Sequence, residues 1–167
     1  MDEVAINSKI DELEAALIAD CEPIDCPLKH TFIPGFYIRE IFMPKGVEGK
    51  VNLITSRVHN TFHPFFVLKG KVAVFSENDG EQIIEAPYSG ITTPNTRRVL
   101  KIIEDTVWVT VHATDIVPKD DSIKSIEDAA NEVAEKILAE HENPLLGGHF
   151  VNNIFISDNK KEQLCHT

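Results

Sequence analysis

From about residue 31 to residue 117 the apolar residues recur at every second position, and nothing between them carries helical spacing. A period of two places alternate side chains on opposite faces of a strand. The candidate strands are Gly35–Phe42, Val51–His59, Phe65–Lys69, Lys71–Ser76, Gln82–Ala86, Ile91–Thr93, Arg97–Ile103 and Thr106–Ala113. The breaks carry turn chemistry at Pro44-Lys45-Gly46, Lys69-Gly70, Asn78-Asp79-Gly80, Pro94-Asn95 and Glu104-Asp105. Asn-Asp-Gly between two apolar runs is a strong hairpin signal. Parallel neighbours need crossovers of a dozen or more residues, which these breaks cannot supply. The pattern predicts a mainly β fold, one antiparallel sandwich or small barrel.

Helical spacing appears only on the flanks. Ile6, Ile10, Leu13 and Leu17 predict a helix over residues 6–20, capped by Asn7 or Ser8, with Asp11, Glu12 and Glu14 on its solvated face. Pro23 and Pro27 end it. After Pro118, Ile123, Ile126, Ala130, Val133 and Ile137 predict a second helix, capped by Ser122 or Ser125 and running to about His141. The expected organisation is an N-terminal helix and linker (1–30), a β domain (31–117), a C-terminal helix (118–142) and a tail (143–167). In that tail Phe150, Ile154, Phe155 and Ile156 are a candidate contact surface.

Charge narrows the partners. Sixteen Lys and Arg against 27 Asp and Glu give a formal net charge of −11. Such a surface repels phosphate backbones and anionic lipid, so neither a nucleic-acid polymer nor a membrane is an expected partner. No apolar run approaches the ~20 residues of a membrane span. Cys21, Cys26 and Cys165 are odd in number and lack metal spacing, and the first residues carry no signal-peptide pattern. These features read as reduced thiols in a cytoplasmic protein.

Strand alternation selects the candidate site. Along Val51–His59, parity puts Val51, Leu53, Thr55, Arg57 and His59 on one face, with His63 continuing it. Along the last strand Trp108, Thr110 and His112 share a face, and Val107, Val109 and Val111 share the other. The all-valine face reads as the one packed on a second sheet or helix, which turns Trp108, Thr110 and His112 to the cavity. Of adjacent Arg97 and Arg98, alternation sends one inward. Tyr88 or Trp108 is suited to stack on a ligand ring.

Two stretches carry a family resemblance. Arg57-Val-His-Asn-Thr-Phe-His63, followed by Phe66-Val-Leu-Lys-Gly-Lys-Val72, resembles the first cupin motif: two His one residue apart, then Glu, then a hairpin Gly. Arg57 stands at the first His, His59 at the second, His63 at the Glu and Gly70 at the Gly. Thr93-Pro-Asn-Thr-Arg-Arg98 resembles the second motif, with an arginine near the place of its metal-binding His. The resemblance implies a single cupin-type (RmlC-like) antiparallel β-sandwich or barrel with an N-terminal helix and a C-terminal helix plus tail. It also implies a homodimer or higher homo-oligomer. Residues 86–100 and 104–114 further resemble small cupin-like proteins of tailed bacteriophages and prophages, which implies a phage protein in a host bacterial cytoplasm.

The substituted motif weighs against the family's metal. A divalent ion and a guanidinium about 5 Å apart repel by roughly 6–7 kcal/mol at an effective dielectric near 20. The same guanidinium attracts phosphate or carboxylate. The favoured expectation is an anionic small molecule, nucleotide-like or sugar-phosphate-like, bound by Arg57, His59, His63, Arg97, Arg98, Trp108, Thr110, His112 and Tyr88, without a cofactor. In a phage setting it would sequester a host nucleotide signal. The first alternative is an enzyme (isomerase or epimerase, lyase, dioxygenase), either metal-free or with zinc, iron, manganese or nickel on His59, His63 and His112. The second is a virion or assembly component.

Overall fold

The structure is a computed structural model that describes residues 3–76, 79–139, 143–146, 148–151, 154–157 and 163–165. A helix, α1 (Glu3–Asp20), leads into nine strands: β1 (Leu28–Ile33), β2 (Phe36–Met43), β3 (Asn52–Thr55), β4 (His63–Lys69), β5 (Lys71–Ser76), β6 (Gly80–Glu85), β7 (Tyr88–Thr92), β8 (Arg98–Ile102) and β9 (Thr106–Ala113). Helix α2 (Ile123–Ile137) follows, then β10 (Gly148–Val151), β11 (Ile154–Ser157) and β12 (Gln163–Cys165).

Two antiparallel sheets face each other, in the orders β1-β2-β9-β4-β7 and β3-β8-β5-β6. Without β1, the eight strands β2 to β9 divide between the sheets as 1-8-3-6 against 2-7-4-5. That is the jelly roll, the two-sheet architecture of cupins. The expected fold class is therefore correct. β5 and β9 match their expected bounds. β1 was not among the expected strands: it begins at residue 28, inside the expected linker, and extends the first sheet by pairing Leu28–Ile33 with Phe36–Ile41. The tail carries a separate three-stranded antiparallel sheet, β10-β11-β12. The side chains proposed as a contact surface there lie outside the described residues.

One end of the barrel is packed and the other is polar. Ile41, Met43, Phe65, Val67, Val72, Val74, Ile84, Leu100, Ile102 and Trp108 form the buried core. In β2 and β9 the register pairs Met43 with Thr106 and Ile41 with Trp108 at the packed end, then Arg39 with Thr110 and Tyr37 with His112 toward the polar one. Trp108 joins the core between the sheets, so Val107, Val109 and Val111 point away from the second sheet. The valine face is therefore not packed on the second sheet, one of the two partners expected for it, although Val109 on it is buried.

α2 borders the polar end. Ser122 caps it, its hydroxyl accepting from the Ser125 amide at 3.2 Å. It ends at residue 137, short of His141, because the chain there turns extended: the Ala139 amide donates to the Val58 carbonyl and the Asn60 amide to that of Ile137. Ala130 and Val133 pack against Tyr37 and Phe32. Ile123, expected on this face, is exposed.

The turn that carries the chain from β4 in one sheet to β5 in the other depends on one glycine. Gly70 has φ +92, and a Cβ there would strike the Asp105 carbonyl and the Thr106 hydroxyl. Gly70→Ala is expected to cost roughly 2–3 kcal/mol from left-handed strain and this clash. Urea unfolding measures it, and a loss below 1 kcal/mol would count against the turn geometry.

Candidate functional site

A cavity of about 130 Å³ occupies the polar end of the barrel. Its floor is Ile41, Met43, Ile54, Leu100 and Trp108, and Ala130, Ala134 and Ile137 of α2 line it from the mouth. Its polar lining includes Arg39, Arg57, Arg98, His30, His59, His63 and His112, and no Asp or Glu. For a chain of net charge −11 this is a marked local reversal.

Arg98 comes from β8 at the position paired with Ser76, on the inward face that also carries Leu100 and Ile102. Its guanidinium lies 4.9 Å from the centre of the Phe65 ring and 5.9 Å from that of Trp108. Those two rings are themselves stacked at 4.5 Å and 10°. Arg98 also donates to the Thr92 hydroxyl at 3.0 Å. Cation–π contact and this hydrogen bond fix the fork without neutralising it. Arg39 projects from β2 beside Thr110, and Arg57 follows the end of β3. None of the three forms an ion pair with a described carboxylate. Burial lowers the pKa of each from the usual arginine value; Tyr37 and Cys26 oppose this for Arg39, Glu14 for Arg57, and Asp79 then Tyr88 for Arg98.

Three imidazoles sit together. The ring centres of His59 and His63 are 5.2 Å apart, and those of His63 and His112 are 4.3 Å apart. Burial, followed by the positive charge of neighbours, pushes His59 down to about 3, with His63 and then Arg98 contributing. The same causes push His63 down to about 4, through burial and then Arg98. His112 falls to about 3 through burial, then His63, His59 and Arg39. All three are therefore neutral at physiological pH. His59 Nδ1, His63 Nε2 and His112 Nδ1 are buried and make no hydrogen bond. Near the mouth the His30 ring nitrogen Nδ1 is 2.6 Å from the Tyr37 hydroxyl, and burial raises Tyr37 to about 12. No three His, Cys, Asp or Glu side chains among the described residues are placed to hold a metal ion.

Of the residues singled out from the sequence, Arg57, His59, His63, Arg98, Trp108, Thr110 and His112 line the cavity. Arg97 and Tyr88 do not. Arg97 is 2 % exposed but turns to α1, donating to Asp11 Oδ1 at 2.7 Å, Glu14 Oε2 at 3.3 Å and the Ser56 carbonyl at 3.2 Å. This corrects the expected solvated face of α1, because Asp11 and Glu14 are buried. Tyr88 lies outside the cavity, tilted 5.9 Å from the Phe65 ring. The route to Arg57 and His59 also differs. Ile54, not Leu53, faces the core, β3 stops at Thr55, and an irregular turn carries Arg57 and His59 to the wall. Arg39, Tyr37 and His30 were missed. For Tyr37 and Arg39, alternation with Ile41 and Met43 was the available signal, obscured because Phe36-Tyr-Ile-Arg-Glu-Ile-Phe-Met43 has apolar residues on both faces; His30 lies on β1, a strand the pattern did not show.

The strand order and this cavity together define a cupin-type barrel with a cationic interior. No protein-family model and no curated protein matches the chain. Among solved structures, it is similar to an RmlC-like cupin family protein of Methanocaldococcus jannaschii, with TM-score 0.42 and 13% identity over 55% of this chain and 82% of that one. A cupin superfamily protein of Desulfitobacterium hafniense gives TM-score 0.43 and 9% identity over 60% and 87%. The cupin domain of Schizosaccharomyces pombe Cnp3 gives TM-score 0.39 and 23% identity over 55% and 69%. No described helix is long and apolar enough to cross a membrane.

Proposed function

We propose that the chain binds a small anionic molecule inside the barrel, with Arg98 and Arg39 as its principal charges. One observation carries this reading: three guanidiniums and four imidazoles line the cavity, with no carboxylate among them. A buried charge needs a partner, and among the described residues these arginines form no ion pair. Glu14 offsets part of the field of Arg57, and Asp79 part of that of Arg98.

A resident metal ion fits the residues less well. Cupin-type sites add an acidic ligand to imidazoles, whereas here the charges nearest the imidazoles are guanidiniums, which would repel a cation. General-base catalysis is also less favoured, because imidazoles near 3 to 4 are weak bases at neutral pH. An engineered cavity of about 150 Å³ encloses a molecule the size of benzene. The cavity here therefore encloses a head group, and a nucleotide would extend through the mouth. Homo-oligomerisation belongs to the same reading: Phe66, Leu68 and Ile91 stand exposed on the outer face of β4 and β7. Phage origin rests on the resemblance of residues 86–100 and 104–114 alone, and sequestration of a host nucleotide signal would be a role only in that phage setting.

The test is a thermal-shift and calorimetry screen of phosphorylated and carboxylated metabolites in EDTA. A ligand at 100 times its Kd adds about 2.7 kcal/mol, which is roughly 5–10 °C for a chain this long. Arg98→Met is expected to weaken binding by roughly 100-fold, as loss of a buried charged partner costs about 2–5 kcal/mol. No shift with any anion would remove the reading.

A further inference from the structure

The charged and the apolar residues of the cavity lie at different depths, and strand register sets their order. Along β2 and β9 the paired rows run Tyr37–His112, Arg39–Thr110, Ile41–Trp108 and Met43–Thr106 from the mouth inward. β4 extends two of these rows, with Phe65 beside Thr110 and Val67 beside Trp108. Paired residues on neighbouring strands stand about 5 Å apart on one face, so each row is one level of the wall. The opposite sheet repeats the order. The inward residues of β8 are Arg98, Leu100 and Ile102; the first two line the cavity, and Ile102 belongs to the packed core. Leu100 pairs with Ile54 of β3, which also lines the cavity. The Arg98 guanidinium lies 4.9 Å from the centre of the Phe65 ring, on the row of Arg39 and Thr110. Two guanidiniums from opposed sheets therefore share one level. His112 and His63 stand on its mouth side, and Ile41, Ile54, Leu100 and Trp108 lie beneath it.

This order constrains what lies beyond the anionic group of a ligand. A hydroxyl or second charge beneath the guanidiniums would give up its water to Ile41, Ile54 and Leu100, which return no hydrogen bond. An apolar group there gains from leaving water. At about 130 Å³ the cavity has room for head group and body together only when both are small. A carboxylate is the most compact anionic head group, and its two oxygens match the fork of an arginine.

We propose that the ligand is a small apolar monocarboxylate, short-chain aliphatic or monocyclic aromatic, its carboxylate between Arg98 and Arg39 and its body on Ile41, Ile54, Leu100 and Trp108. This rests on the anion-binding reading above and specifies the ligand class of that site.

The experiment is calorimetry in EDTA at pH 7.5 with acetate, hexanoate and benzoate, and with D-gluconate, D-glucose 6-phosphate and AMP as anions of polar body. Each methylene taken out of water strengthens binding about fourfold, so hexanoate is expected to bind at least roughly 30-fold more tightly than acetate. Benzoate is expected to exceed acetate in the same way, and the polar-bodied anions are expected to bind no more tightly than acetate. Ile54→Phe fills the floor and is expected to erase most of the preference for hexanoate while acetate still binds, which also reports a folded chain. Ile54→Ala enlarges the floor and is expected to move the preference from hexanoate to octanoate. Acetate binding as tightly as hexanoate and benzoate, any polar-bodied anion binding more tightly than both, or an unchanged chain-length preference in the two Ile54 variants overturns the apolar-body assignment and leaves the anion site standing. Failure of all six anions removes both readings.

Discussion

Arg97→Met is expected to destabilise the protein by about 3–5 kcal/mol, the usual cost of removing one partner from a buried ion pair. At roughly 2–4 °C per kcal/mol for a chain of this length, Tm falls by roughly 10–15 °C. The side chains of Arg97, Asp11 and Glu14 are 3%, 6% and 9% exposed, so bulk water cannot take over when the guanidinium is lost. Thr55 donates to Glu14 at 2.8 Å, and Asn143 donates to the same carboxylate at 3.2 Å and to the Asp11 carbonyl at 2.9 Å. Those contacts remain in the variant and keep two carboxylates buried beside each other. Arg97→Lys supplies the charge without the fork and is expected to recover part of the loss. Neutralising the acids as well, in Arg97→Met/Asp11→Asn/Glu14→Gln, is expected to recover more, since no uncompensated charge is left. Thermal unfolding of the series checks the account. A loss below 1 kcal/mol for Arg97→Met sinks it, as does a triple variant less stable than the single.

That cluster also marks where sequence reading stops. Helical periodicity places Asp11 and Glu14 beside an apolar stripe but cannot announce an arginine 86 and 83 residues away. Alternation stated that Arg97 and Arg98 face opposite ways. Which one enters the cavity is decided by the acids of α1, a tertiary fact. β9 was legible because its two faces differ chemically, with Trp108, Thr110 and His112 against three valines, although the valines do not pack on the second sheet. β3 was not legible in register, because parity holds only while the strand continues and the chain leaves β3 at Thr55. His59 and His63 reached the wall as expected, but through the irregular turn and the bridges of His59 to Thr96 and Leu138. Arg39 was hidden by apolar neighbours on both faces of β2.

Acid is expected to unfold this protein in a range where most carboxylate pairs still hold. His59, His63 and His112 have folded pKa values near 3, 4 and 3, all below the unfolded value of 6.5. The unfolded chain therefore takes up protons as pH drops through 6.5, while the folded chain does not until pH 4 or below. Stability is intact above 6.5 and falls with decreasing pH, because the unfolded state binds more protons. At pH 5 each histidine has moved 1.5 units below its unfolded pKa, which is about 2 kcal/mol, or up to roughly 6 kcal/mol for three. A natural domain holds only about 5–15 kcal/mol in total. Arg39, Arg57 and Arg98 face the three rings and no lining carboxylate opposes them, so protonation inside the cavity meets only like charge. Tm measured in EDTA is expected to drop by roughly 10–20 °C between pH 7.5 and pH 5. In His59→Gln/His63→Gln/His112→Gln most of that slope disappears, because glutamine does not titrate. A bound anion opposes the drop by offsetting the charge of the newly formed imidazoliums. A flat Tm in the wild-type chain across this interval would mean that the imidazoles are already paired or already charged, and the neutral cluster beneath the anion site would not exist.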